Sequence, residues 1–101
     1  MSSAAPAIFD KNSIEILPST EEKDKRKIQF AKKVVLYAFI NEENKKISDL
    51  AGYIADRFNE VYNRKEWNCC VCELNKGAVS YISTSNITIK FNNYKIIIWA
   101  I

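Results

Sequence analysis

A chain of 101 residues holds one hydrophobic core and has no room for a second. Hydrophobic residues make up 48% and charged residues 27%, the balance of a folded domain rather than a disordered segment. The net charge is only +3, and Lys and Arg alternate with Glu and Asp in EEKDKRK and NEENKK, so the sequence offers no one-signed stripe to nucleic acid or anionic lipid.

The first residues, MSSAAPAIFDKNSIEI, have neither the basic flank nor the apolar stretch of a secretory signal. The closing apolar run, Ile96 to Ile101, is too short to span a bilayer. Ser2 instead of Gly, and a C-terminus without Cys, argue against the common lipid anchors. Cys69, Cys70 and Cys72 are odd in number and badly placed to bridge one another, which fits reduced thiols in the cytoplasm.

Residues 1–12 are small and polar and read as a flexible tail, with the folded domain spanning 13–101. Ser13 to Leu17 alternates polar and apolar and predicts a short strand ended by Pro18. Ser19 and Glu22 have the spacing of a capping box, so a first helix is expected from Thr20 to Ile40. Ile28, Ala31, Val35 and Ala38 share one of its faces, while VVLYAFI is apolar nearly all round and is expected to be buried on more than one side. After the polar loop from Asn41 to Lys46, Ile47, Leu50, Ile54, Phe58 and Val61 recur at spacings of three and four. They mark a second helix that starts near Ser48 or Asp49 and ends near Tyr62-Asn63-Arg64.

From Trp67 onward the period changes to that of strands. WNCCVCEL is one; a turn at Asn75-Lys76-Gly77 and a second strand, AVSYIS, follow. Ser83 to Asn86 reads as a loop, and ITIKF places Ile87, Ile89 and Phe91 on one face. Asn92-Asn93 suits a tight hairpin, because Asn tolerates positive φ. In the last strand, YKIIIWAI, Tyr94, Ile96, Ile98 and Ala100 face one way, and Lys95, Ile97, Trp99 and Ile101 the other. Helices can cover one face of such a sheet; an apolar second face asks for a partner subunit.

These elements, in this order, resemble the dynein light chain type-one family. IADRFNEVYNRKEWNCCV carries the resemblance most specifically. The family pattern of Phe-Asp-x-x-Tyr-Asn, a short turn, then Trp-His-Cys and Val falls on Phe58, Asn59, Tyr62, Asn63, Trp67, Asn68, Cys69 and Val71, with a longer turn here. SIEILPSTEE is similar to the family's first strand and helix start, and GAVSYISTSNITIKFNNYKIIIWAI to its closing strands.

The resemblance implies an α+β fold, with two helices on an antiparallel sheet. It also implies a strand-swapped dimer with two sheets face to face. The crossing strand is then Gly77, Ala78, Val79, Ser80, Tyr81, Ile82 and Ser83, and its free edge takes an extended peptide as an added strand. Ile47, Ser48, Ile89 and Phe91 are the other implied peptide-binding positions, and Trp67, Asn68, Cys69, Ile97 and Trp99 are read as the dimer interface. Implied partners are a second copy or a related light chain, and a dynein intermediate chain or other linear-motif proteins. No nucleic acid and no membrane are expected, and the implied location is the cytoplasm and cytoskeleton, on a microtubule-associated or axonemal (ciliary) dynein complex.

The chain departs from the family at telling places. The interface His is replaced by Asn68, and no His occurs anywhere. The Glu-Lys pair that helps hold a peptide glutamine becomes Ile47 and Ser48, and groove tyrosines become Ile89 and Phe91. A preference for apolar peptides over Thr-Gln-Thr is therefore expected.

No catalytic site, cofactor or metal is expected. Three Cys without a His fall short of the four ligands of a structural zinc site, and Cys in a packed strand is the plainer reading. Asp56 and Glu60 stand one helical turn apart, but Glu60 can pair with Arg64, which describes a solvated face. Tyr37, Tyr53, Tyr62 and Trp67 read as core or interface aromatics rather than a base-stacking platform. Two functional classes remain: a peptide-binding light-chain adaptor, and a structural subunit with degenerate grooves acting through heterodimerisation.

Overall fold

The period-two runs and the amphipathic helices assemble into an antiparallel sheet backed on one face by helices, in a computed structural model that describes residues 14–41, 46–74 and 85–101. In chain order the elements are β1 (Ile14–Ile16), α1 (Lys25–Asn41), α2 (Ile47–Val61), β2 (Trp67–Glu73), β3 (Asn86–Phe91) and β4 (Tyr94–Ala100). The tail 1–12, the Asn75-Lys76-Gly77 turn and the strand read at Gly77 to Ser83 lie outside the described residues.

The sheet has four strands in the order β1-β3-β4-β2, every pair antiparallel. Asn92 closes the β3–β4 hairpin at φ 54, the left-handed conformation that its short polar side chain tolerates. This fixes the register, with Ile89 opposite Ile96 and Ile87 opposite Ile98. A slip of one residue would turn every one of these side chains to the other face.

The face so defined meets Ala31, Val34, Val35, Ala38 and Phe39 of α1 and Leu50, Ile54 and Phe58 of α2 in one core. Phe58 has no exposed surface, and burying a side chain of its size contributes about 1.5–3 kcal/mol.

The first helix begins later than the capping-box spacing predicts. Thr20 and Glu21 are not helical; α1 starts at Lys25, and Asp24 Oδ1 accepts the Arg26 N–H at 2.9 Å as an N-cap does. Glu22 folds over the amides of Lys23 and Asp24, at 3.1 and 3.0 Å, rather than reaching back to Ser19. Long-range partners outcompete the local box: the Glu21 and Glu22 amides both donate to the Asn86 carbonyl at 2.9 Å.

The expectation that VVLYAFI is buried on more than one side is also corrected: Val34, Val35, Ala38 and Phe39 are buried on the core side. Tyr37 is 55% and Ile40 41% exposed, with Tyr37 stacked on Tyr53 at 6.1 Å. Asn86, read as loop, is the first residue of β3. Glu60 pairs with Arg57 one turn before it, not with Arg64.

On the face away from the helices, β4 presents Lys95, Ile97 and Trp99, flanked by Asn68, Cys70 and Cys72 of β2 and by Asn86, Thr88 and Lys90 of β3. The apolar part of this face is thus a narrow stripe, centred on Ile97, which is 5% exposed.

Candidate functional site

The stretch from Phe58 to Trp67 folds into an aromatic knot that anchors β2 to the end of α2. Phe58 packs against Trp67 at 4.9 Å and Phe30 at 5.0 Å, and Tyr62 against Phe30 at 5.5 Å. The indole Nε1–H donates to the Tyr62 carbonyl at 2.8 Å, so a helix-end acceptor and a buried donor satisfy each other.

Asn59 ties the knot to the strand. Its Oδ1 accepts the Trp67 N–H at 2.8 Å, and its Nδ2 donates to the Trp67 carbonyl at 3.2 Å. The side-chain amide thus answers one residue of strand as a neighbouring backbone would. The Asp of the family pattern could accept but not donate.

Beyond Trp67 the edge opens. Ladder bonds from Ile101 N–H to the Glu66 carbonyl and from Leu74 N–H to the Asn93 carbonyl set the alternation along β2. By that alternation Asn68, Cys70 and Cys72 bond to β4, whereas the N–H and C=O of Cys69 and Val71 point away from it. Among the described residues, no strand pairs with this edge.

A groove of about 550 Å³ runs between this edge and α2, lined on the helix by Ile47, Ser48, Ala51, Gly52 and Ala55. Small side chains let backbone approach there, and a Cβ built on Gly52 would meet nothing within 4 Å. Lys46 holds the N-cap position of α2 and makes no side-chain cap bond, and its carbonyl accepts the amides of Asp49 and Leu50. Asn68, also lining the groove, keeps its Nδ2 buried with no hydrogen-bond partner among the described residues. Burial pushes the Cys69 thiol well above its ordinary range, with Cys70 beside it adding to the effect. Cys70 is raised by burial and by Cys72, against the opposing charge of Lys95.

The structure gathers part of the predicted site and disperses the rest. Ile47, Ser48, Asn68, Cys69 and Trp99 line the one groove. Asn68, Ile97 and Trp99 share the face away from the helices, but Trp67 and Cys69 alternate to the helix side, where Trp67 is 3% exposed. Trp67 is therefore an anchor of the core, a correction to its reading as an interface residue, and Cys69 also packs against that core. Ile89 and Phe91 are corrected too: both have no exposed surface, and Phe91 packs edge-on against Phe39 at 5.1 Å, so neither lines a groove. The candidate strand Gly77 to Ser83 lies outside the described residues.

Sequence reasoning missed Asn59 and Gly52. The small residues Ser48, Ala51, Gly52 and Ala55, at helical spacing beside the Leu50–Ile54–Phe58 stripe, were a legible signal for a close approach. Nothing local marks Asn59 as a clamp. Among the described residues, no group of His, Cys, Asp and Glu could hold a metal ion, and no helix is long and apolar enough to cross a membrane.

Two helices on a four-stranded antiparallel sheet, in this order, match a dynein light chain-like fold. The dynein light chain-like domain of the Fasciola hepatica calcium binding protein FhCaBP2 is similar in structure. Its native form gives a TM-score of 0.71 at 17% identity over 90% of this chain and 93% of that one. A mercury derivative gives 0.67 at 16% identity over 86% and 90%. The likeness establishes a divergent dynein light chain fold. No protein-family model matches the chain, and the search of curated proteins finds no match.

Proposed function

We propose that this chain is a non-catalytic, dimeric light-chain adaptor of a dynein motor complex. It holds an extended segment of a partner, such as a dynein intermediate chain, by strand addition beside α2. The reading assigns it to the cytoskeleton, in a cytoplasmic or axonemal complex, with no cofactor.

The observation that carries it is the open edge of β2, with the outward backbone of Cys69 and Val71 running beside a groove floored by small residues. Strand addition needs those two things, unpaired backbone groups and room next to them. In the proposed dimer, residues 77–83 of one copy take the open edge of the other's β2, the stripe around Ile97 and Trp99 lies between the sheets, and the client adds to the free edge of that crossing strand, in the room beside α2. Two such grooves would raise avidity for a paired client.

Ile47 and Ser48 then meet the client's side chains at the first turn of α2. Ile47 offers no polar group and Ser48 only a hydroxyl, so an apolar peptide should bind better than a Thr-Gln-Thr peptide. Calorimetry with both tests this. Thr-Gln-Thr binding no tighter than about 100 µM is expected, and low-micromolar binding of that peptide would overturn the assignment of Ile47 and Ser48. The same two residues favour a second reading, a structural subunit with degenerate grooves that pairs with a related light chain. Failure of the dimeric chain to bind either peptide would select it.

A further inference from the structure

Folding unmixes the charges that alternate along EEKDKRK. Glu21 Oε1 accepts from Asn86 Nδ2 at 2.8 Å, and Glu22 Oε1 accepts from Ser85 Oγ at 3.1 Å. The other Glu22 oxygen holds the amides of Lys23 and Asp24, and Asp24 Oδ1 holds that of Arg26. The carboxylates are thus held mainly by backbone and by β3, with Glu22 also pairing with Lys27, and Lys23, Lys25 and Arg26 are left facing solvent.

The loop after α2 brings more cations to the same place. Lys25, Arg26 and Lys33 line a cleft of about 440 Å³, and Lys27, Arg64 and Lys65 line a second of about 270 Å³. Tyr62 is a wall of both, so the clefts are two lobes of one surface. No Asp or Glu lines either lobe. Among the described residues, only Lys27 of these six cations has an ion pair, to Glu22 at 3.8 Å. Like charges gathered without partners in a concave surface raise the local potential and draw in anions.

We infer that this two-lobed basic surface docks an acidic polypeptide segment. It lies at the C-terminal end of α2, whereas the groove lines the helix's N-terminal half; a 15-residue helix is about 22 Å long. The inference does not rest on strand addition, and its failure would leave that reading standing.

The chemistry favours a peptide over other polyanions. Tyr62 has Lys27 Nζ over its ring at 5.4 Å and Phe30 packed edge-on at 5.5 Å, so it offers no free platform for a stacked base. Val61 is the large exposed apolar residue at the lobes, and a lone side chain is too little to anchor a membrane surface. An extended acidic chain, by contrast, can place carboxylates into both lobes in turn, where Arg64 and Arg26 can each grip one through paired N–H donors.

The test is fluorescence anisotropy of the full chain with a labelled Glu-rich peptide, beside a labelled single-stranded DNA and vesicles of phosphatidylserine and phosphatidylcholine. The peptide should bind at low salt and weaken about tenfold or more as salt screens the exposed charges. Combined Arg64→Glu and Lys65→Glu should cost about tenfold or more again, with an unchanged circular dichroism spectrum. Combined Lys32→Glu and Lys46→Glu, the same change in net charge outside the lobes, should cost less than about twofold. Equal losses in the two double variants, tighter binding of DNA or vesicles than of peptide, or no peptide binding at low salt would each overturn the proposal.

Discussion

The two edges of the sheet are built to opposite ends. On the β1 side the edge strand is only Ile14–Ile16, and the chain beyond it goes on sealing β3. Leu17 N–H reaches the Thr88 carbonyl at 2.8 Å, and Thr20 Oγ1 accepts the Thr88 N–H at 3.0 Å. The amides of Glu21 and Glu22 then close on the Asn86 carbonyl. On the β2 side the edge strand runs from Trp67 to Glu73, and at Trp67 the side chain of Asn59 answers its backbone. A short edge with its neighbour sealed is what a protein uses to avoid stray pairing; a long one left open beside a groove is where pairing is wanted.

The largest expected effect is at Ile97, on the face proposed to lie between two sheets. Ile97→Asp puts a charge at a position 5% exposed and should dissociate or unfold the chain, a loss of about 3–5 kcal/mol. Sedimentation combined with denaturant unfolding would show it; a variant as stable and as dimeric as the original would remove Ile97 from the shared face.

The edges themselves are compared by Asn59→Ala and Thr20→Val. The first leaves the N–H and C=O of Trp67 without Asn59, and the second leaves the N–H of Thr88 without Thr20 while its carbonyl keeps Leu17; each should cost about 1–3 kcal/mol in urea unfolding. The amide-exchange signatures should differ: the first variant speeds exchange at Trp67 alone, the second at Thr88 alone. Effects that spread across both edges would mean that the edges are not independent.

Gly52→Leu sharpens the contrast by filling the groove without touching the core. Replacing an exposed helical Gly should stabilise the fold by up to about 1 kcal/mol, while peptide affinity falls about tenfold or more. Stability and binding falling together would place Gly52 in the packing instead.

The smallest effects are those of pH. With no His in the chain, sedimentation should show the proposed dimer unchanged between about pH 7 and pH 5. At the alkaline end the sign reverses. Because burial raises the folded Cys69 thiol, the unfolded chain releases its proton first as pH climbs past the ordinary value of 9.0. Stability should be full below that value and decline above it. Cys69→Ser should flatten the decline.

The sequence made legible whatever depends on local periodicity. The stripe Leu50, Ile54, Phe58 located α2, and Asn92-Asn93 and the alternation after it gave β3, β4 and their register. What it hid depends on partners far along the chain. Ser19 and Glu22 have capping-box spacing, yet Glu22 is bonded to Ser85 and Thr20 to Thr88, so the helix starts at Lys25. Ile89 and Phe91 occupy positions where the family shows groove tyrosines, but alternation from the hairpin turns both into the core. Asn59 carries no local signal because its role exists only once Trp67 lies beside it.

Amide hydrogen exchange at Cys69 and Val71 in the unmodified chain at micromolar concentration tests strand addition most directly. If residues 77–83 of a second copy pair with β2, both amides should exchange as slowly as those of Cys70 and Cys72, which bond to β4. Fast exchange at Cys69 and Val71 at every protein concentration, with Cys70 and Cys72 still protected, would contradict strand addition at this edge.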